Sequence, residues 1–146
     1  MYKTFSDLNV EDFPKGTIHK FWLNLVVDSL GEPLSIPVIL ARGKKEGKTL
    51  GITAVIHGNE LNGISVIQRL FKEINLDNLR GTIIGVPVAN VPSYRREKRR
   101  FIDDVDLNHV FPGKKNGSVS QIYAYHLFER VIRKFDYLID LHTASF

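Results

Sequence analysis

The chain reads as an α/β domain with a mixed, largely parallel sheet covered by helices on both faces, led by a β-hairpin. Three observations carry this reading. Short β-branched runs alternate with longer segments of helical periodicity. Two of the runs, Ile52 to Ile56 and Tyr137 to Leu141, are apolar enough to be buried strands. The first two runs flank a hexapeptide of turn residues, the mark of a hairpin.

The elements follow in order. Residues 18–27 and 34–41 are two strands around the turn Asp28-Ser29-Leu30-Gly31-Glu32-Pro33. Pro37 inside the second predicts an edge position or an irregularity, because proline cannot donate to a ladder. Gly43 to Lys48 is a polar turn, and Leu50 to Ile56 a central strand. Leu61 to Ile74 places Ile64, Ile67, Phe71 and Ile74 at helical spacing, with Gln68, Arg69 and Lys72 between them. Thr82 to Val88 is another buried strand. Val91 to Ser118 has no periodicity, and a loop of that length is usually functional or disordered. Ser118 to Phe135 repeats Val119, Tyr123, Leu127, Val131 and Phe135 every fourth residue, a packing stripe. Tyr137 to Leu141 is the last strand.

Composition narrows the class. The 146 residues suit one domain, long enough to bury ~68–70% of the unfolded surface. Hydrophobic content of 43% and charged content of 25% are ordinary for a soluble globular protein. With no cysteine, disulfides and thiolate metal sites are excluded. No apolar run approaches a membrane span, and Met1 to Asp7 lacks the regions of a signal peptide, so a cytoplasmic protein is expected. The net charge is +4, and Arg95-Arg96-Glu97-Lys98-Arg99-Arg100 holds five of the twenty basic residues. Such a run is most often a solvated surface and sometimes a nucleic-acid patch.

The chemistry concentrates in His57-Gly58-Asn59-Glu60 and Asp140-Leu141-His142-Thr143. A single histidine near a strand is most often a hydrogen-bonded core or surface residue, and HxxE is common by chance. Here both histidines directly follow strand-like runs, and ligand sites in open α/β sheets lie beyond the strands' carboxyl ends. On a tight turn His57 and Glu60 share one face, their Cβ atoms ~5–6 Å apart. His142 would arrive from a second strand. Two imidazoles, one carboxylate and an open fourth position make the ligand set of a catalytic zinc ion. Iron, cobalt or nickel could use the same donors.

A third motif, Asp106-Leu107-Asn108-His109-Val110-Phe111-Pro112-Gly113, lies in the long loop. HGNE, this segment and DLHT, in that order over residues 48–146, resemble the succinylglutamate desuccinylase/aspartoacylase family, relatives of the zinc carboxypeptidases. The resemblance implies a zinc-carboxypeptidase-like fold with one Zn2+ per chain on His57, Glu60 and His142. It implies hydrolysis of the amide bond of a small N-acyl amino acid. Asn108 falls on a substrate-holding Asp-Leu-Asn-Arg motif, in which His109 replaces the arginine. A histidine is a weaker, pH-dependent anion partner without the bidentate fork. The family's carbonyl-polarising arginine is best matched by Arg100, with Arg99 the second candidate at the substrate. Asp106 and Asp140 take loop- or imidazole-orienting roles, although Asp140 is also readable as pointing away from His142. His19 and His126 read as structural.

Family members continue well beyond a position equivalent to Phe146, and their general-base glutamate lies in that further half. Residues 1–146 therefore read as the N-terminal part of one zinc-hydrolase catalytic domain, truncated at the C-terminus and weak or inactive alone. The basic segment 95–100 reads as a clamp for a substrate carboxylate, with neither nucleic acid nor membrane as partner. Two alternatives stand beside this: a carboxypeptidase-type metallopeptidase, and a non-enzymatic polyanion-binding domain that would bind in a salt-sensitive way.

Overall fold

The hairpin forms as its turn chemistry demands. Strands β2 (Thr17–Val27) and β3 (Pro33–Arg42) pair antiparallel, after a short β1 (Lys3–Phe5) that lies parallel to β2. Between them the Asp28 carboxylate accepts the Leu30 and Glu32 amides at 2.8 and 2.9 Å, and Gly31 takes φ +86°. That left-handed conformation suits glycine. The computed structural model describes residues 2–143.

The remaining elements are β4 (Lys45–Ala54), α1 (Asn62–Glu73), β5 (Arg80–Val86), α2 (Val91–Arg95), α3 (Val119–Arg130) and β6 (Tyr137–Leu141). The six strands lie in the order β1-β2-β3-β5-β4-β6. β4 pairs parallel with both β5 and β6, while β3 joins the hairpin to β5 antiparallel. Three of the five pairings are thus parallel. The carboxyl ends of β4, β5 and β6 point the same way, and the site lies there.

Helices cover both faces, and two glycines make room for them. Gly51 and Gly85 project to opposite faces, since Gly85 is registered with Ile52 and Gly51 with Ile84. A Cβ on Gly85 would overlap Ile67 and Phe71 of α1, and one on Gly51 would overlap Phe135, beyond the end of α3. Ile67 and Phe71 are buried, as the periodicity of Leu61 to Ile74 requires. Burying each such side chain contributes about 1.5–3 kcal/mol.

Several expectations change. The turn expected over Gly43 to Lys48 is shorter, because Lys45 already pairs with Arg80; its charged neighbours sit in an exposed strand end where side chains reach water. Pro37 belongs to an interior strand, but β5 pairs only with Ile39 to Arg42, so around Pro37 the strand is locally an edge. The long loop contains α2, too short to show periodicity. Asn90 caps it by accepting the Ser93 amide, and Pro92 occupies its first turn. The segment 118–135 is one helix only to Arg130. Val131 leaves helical geometry (φ −125°, ψ −66°) and a 3₁₀ turn, Ile132–Lys134, continues the packing stripe. Of that stripe Tyr123, Leu127 and Val131 are buried, whereas Val119 is exposed. Finally, β6 is not buried. It lies at the sheet edge, where Tyr137, Leu138 and Ile139 are all exposed.

Candidate metal centre

Beyond Ala54 the chain turns sharply at Val55, which takes φ +58°. A β-branched residue there is strained by about 1–3 kcal/mol and persists only where its surroundings over-determine it. They do: the amides of Ala89 and Asn90 bond the carbonyls of Ala54 and Val55 at 2.9 and 3.0 Å. The Asn90 side chain adds a 2.8 Å bond to the Ile56 carbonyl. The buried Tyr123 hydroxyl, its pKa pushed far up by burial, donates to the Ala89 carbonyl at 2.9 Å and anchors that segment to α3. Gly58 lies so close to the Ser93 carbonyl that a Cβ would clash with it. The result is a tight turn, closed by Glu60 N–H to the His57 carbonyl, that presents both side chains together.

His57 and Glu60 are 2% and 4% exposed. His57 Nδ1 lies 3.0 Å from Glu60 Oε1, and His142 Nδ1 lies 2.9 Å from Glu60 Oε2. Each imidazole rests its other nitrogen on an aspartate: His57 Nε2 on Asp106 Oδ1 at 2.9 Å, His142 Nε2 on Asp140 Oδ2 at 2.8 Å. Asp140 near the end of β6 and His142 just beyond it, two residues on, meet on one side, so the reading in which Asp140 points away is corrected. The Thr143 amide and Arg99 also donate to Glu60, at 3.1 and 2.7 Å.

These contacts set the protonation. Burial pushes Glu60 upward, but the Thr143 amide and the two histidines outweigh it and hold the carboxyl below its usual range. Asp106 is likewise lowered: burial opposes, and His57, the Asn108 amide and Arg99 prevail. Burial pushes His142 down, but Asp140 and then Glu60 together outweigh it and hold the imidazole above its ordinary range.

Arg99 and Arg100 part company. Arg99 reaches Glu60 and, at 3.4 Å, Asp106. Arg100 bonds the Asp104 carbonyl at 3.0 Å on an exposed loop and does not face the site. Consecutive side chains diverge here because Phe101 is buried against Tyr123 and the Arg100 carbonyl is bonded by Ser93 Oγ. Of the two arginines that the sequence offered, Arg99 is thus the one that reaches Glu60, and Arg100 is directed to Asp104. Asn108 lines a cavity of about 360 Å³ with Thr53, Ile56, Phe111 and Asp140. His109 is exposed on the 3₁₀ turn Leu107–His109, outside the network around Glu60. Sequence reasoning missed Asn90 and Thr53. Asn90 was detectable as a capping residue before Pro92, and Thr53 as the one polar residue in an apolar run.

Sheet order and helix placement define a zinc-carboxypeptidase-like α/β domain. Within that class, residues 46–145 match the succinylglutamate desuccinylase/aspartoacylase catalytic domain, and the chain belongs to that family. It is 29% identical over 138 residues to an N-alpha-acetyl-L-2,4-diaminobutyric acid deacetylase of Halomonas elongata, covering 92% of this chain and 40% of that protein. It superposes on an aspartoacylase family protein of Mesorhizobium loti with TM-score 0.77 and 33% identity, over 94% of this chain and 44% of the other. A succinylglutamate desuccinylase/aspartoacylase from Rhodobacter sphaeroides shares the fold at TM-score 0.78 and 24% identity, over 92% and 43%. The chain thus spans about two fifths of the length of these relatives.

Proposed function

We propose that this domain holds one zinc ion with His57, Glu60 and His142, and forms the metal-binding part of a hydrolase that cleaves the amide bond of a small N-acyl amino acid. The observation that carries the reading is the paired orientation of the two imidazoles. Each turns Nδ1 toward Glu60 and rests Nε2 on its own aspartate, the arrangement by which carboxylates orient metal-ligating histidines. The three donor groups lie within 4.8 Å of one another, close enough for one ion bound at ~2.0–2.2 Å per ligand. Oxygen and nitrogen donors without sulfur suit zinc and leave iron, cobalt and nickel as competitors.

Bound zinc supplies Lewis-acid polarisation of a carbonyl and activation of water near neutral pH. The chain's own residues supply the rest. Asp106 and Asp140 keep the Nε2 protons in place, leaving each Nδ1 as the donor. Arg99 is the cation beside the ligand carboxylate, placed to meet negative charge developing on a carbonyl oxygen. Asn108, at the rim of its cavity, contacts substrate, and His109 adds a pH-dependent positive charge in place of an arginine. The carboxylates of Glu60, Asp106 and Asp140 are each committed to an imidazole, so none is assigned as general base. The deacetylase relative, named for an acetylated diamino acid, supports an N-acyl amino acid as substrate class.

Elemental analysis after dialysis against zinc tests the assignment. The wild-type chain should retain one ion, and His57→Ala, Glu60→Ala and His142→Ala should each lose it. Unchanged content in all three variants sinks it. Hydrolysis of N-acyl amino acids by a longer protein carrying this domain tests the activity, with release of C-terminal residues from peptides as the outcome favouring a peptidase.

A further inference from the structure

We propose that Thr53 is a positioning residue that fixes Asp140 and, through it, the orientation of His142. The inference rests on the metal reading above and extends it to a residue that touches no ligand. Thr53 is 4% exposed, on the interior strand β4, and its register partner on β6 is Asp140 itself. Its hydroxyl lies 2.6 Å from Asp140 Oδ1 and must donate, since a carboxylate can only accept. Asp140 Oδ2 is left for His142 Nε2 at 2.8 Å. The carboxylate is thereby held at both oxygens, which fixes the partner of Nε2 while Nδ1 faces Glu60.

The other histidine shows what this bond replaces. Asp106, which orients His57, is held by the Asn108 amide and by Arg99. For Asp140 the threonine does that work. Among the described residues β6 pairs with β4 alone, so the Thr53 bond lies in the one ladder that holds it. A β-branched side chain is the suitable donor, because χ1 of threonine is stiff and the hydroxyl cannot swing far. The hydrogen bond also ties together the two strands that deliver the ligands: His57 and Glu60 follow β4, and His142 follows β6.

Two variants separate hydroxyl from shape. Thr53→Val keeps the branched volume and removes the donor; Thr53→Ser keeps the donor. Zinc affinity of the 146-residue chain, measured by competition with a chromophoric chelator, should fall about 10–100-fold in Thr53→Val, the usual cost of losing an outer partner. In Thr53→Ser it should stay within about threefold of wild type. Circular dichroism establishes that each variant is folded. A second readout needs no metal: ¹⁵N-resolved NMR of the neutral His142 ring. The Nε2–H form should predominate in wild type and in Thr53→Ser and give ground to Nδ1–H in Thr53→Val. An unshifted tautomer in folded Thr53→Val overturns the proposal, as does equal loss of affinity in both variants. Failure of the wild type to bind zinc defeats the metal reading instead, and the tautomer measurement still decides the role of Thr53.

Discussion

The two strand ends that meet at Glu60 are built in different ways. The β4 end is buried and braced by backbone: the amides of Ala89 and Asn90 hold a turn strained at Val55, and Gly58 sits against Ser93. The β6 end belongs to an edge strand with three exposed apolar side chains, and the His142 side chain is 36% exposed. Side-chain bonds hold β6 at both ends, Asp136 to Lys48 and the Thr49 amide at one, Asp140 to Thr53 at the other. A strand with neighbours on both sides can carry strain into a site. An edge strand must be latched to it.

The largest effect that sharpens this contrast is at the ligands. Glu60→Ala removes the group that both imidazoles face and should weaken zinc binding at least about a thousandfold, beyond the 10–100-fold of an outer partner. His142→Ala, on the edge, should leave more residual affinity than His57→Ala. Competition titrations rank the three, and a reversed order of the histidines breaks the comparison.

Next come the two arginines. In a longer, active protein Arg99→Ala should lower kcat/KM by about 10²–10³, the scale of one oxyanion donor, with Arg100→Ala within about threefold of wild type. Equal losses would show that the loop, rather than the guanidinium facing Glu60, matters.

Backbone bracing is probed by Gly58→Ala. Overpacking against Ser93 and Lys98 should destabilise the metal-free domain by about 2–3 kcal/mol in chemical denaturation. Ile139→Ala on exposed β6 should cost less than about 1 kcal/mol. Comparable costs would mean that both ends depend equally on packing.

The smallest effect is on the far latch. The Thr49 amide first, and then Lys48, hold the Asp136 carboxyl below its ordinary 3.8. A depressed acid stabilises above its unfolded pKa, and the contribution is lost as pH falls through the folded value. Hydrogen exchange across β6 should therefore speed up relative to β5 on acidification below 3.8, and Asp136→Asn should abolish the pH dependence. The pair is exposed and screened, so the change is small. Identical pH profiles in wild type and variant would remove Asp136 from the account.

Much of this was legible before any coordinates. Period-2 and period-3.6 patterns located the hairpin, α1, β5 and β6, and the residues after β4 and β6 named the candidate ligands that the fold brings together. Short elements escaped, since β1 and α2 span too few residues for periodicity. The exposure of β6 was not legible, because apolar composition reports what a strand can cover, whereas its place at the edge of the sheet formed by the described residues depends on strand order. Which of Arg99 and Arg100 reaches Glu60 was not legible, because two adjacent residues of one type differ only in where the backbone points them.

Sequence alone determined the donor types at the candidate site: two imidazoles and a carboxylate, with no thiol anywhere in the chain. It also determined their placement after strands, because hydrophobic runs mark strands and the polar residues that follow them mark strand ends. Tertiary structure decided everything that depends on pairs distant in the chain. Thr53 meets Asp140 through parallel register across 87 residues, and Asp106 meets His57 across 49. It also directed Arg99 to Glu60 and Arg100 to Asp104. Hydrogen bonds act over about 3 Å, and no local pattern encodes which distant groups folding will bring within that reach.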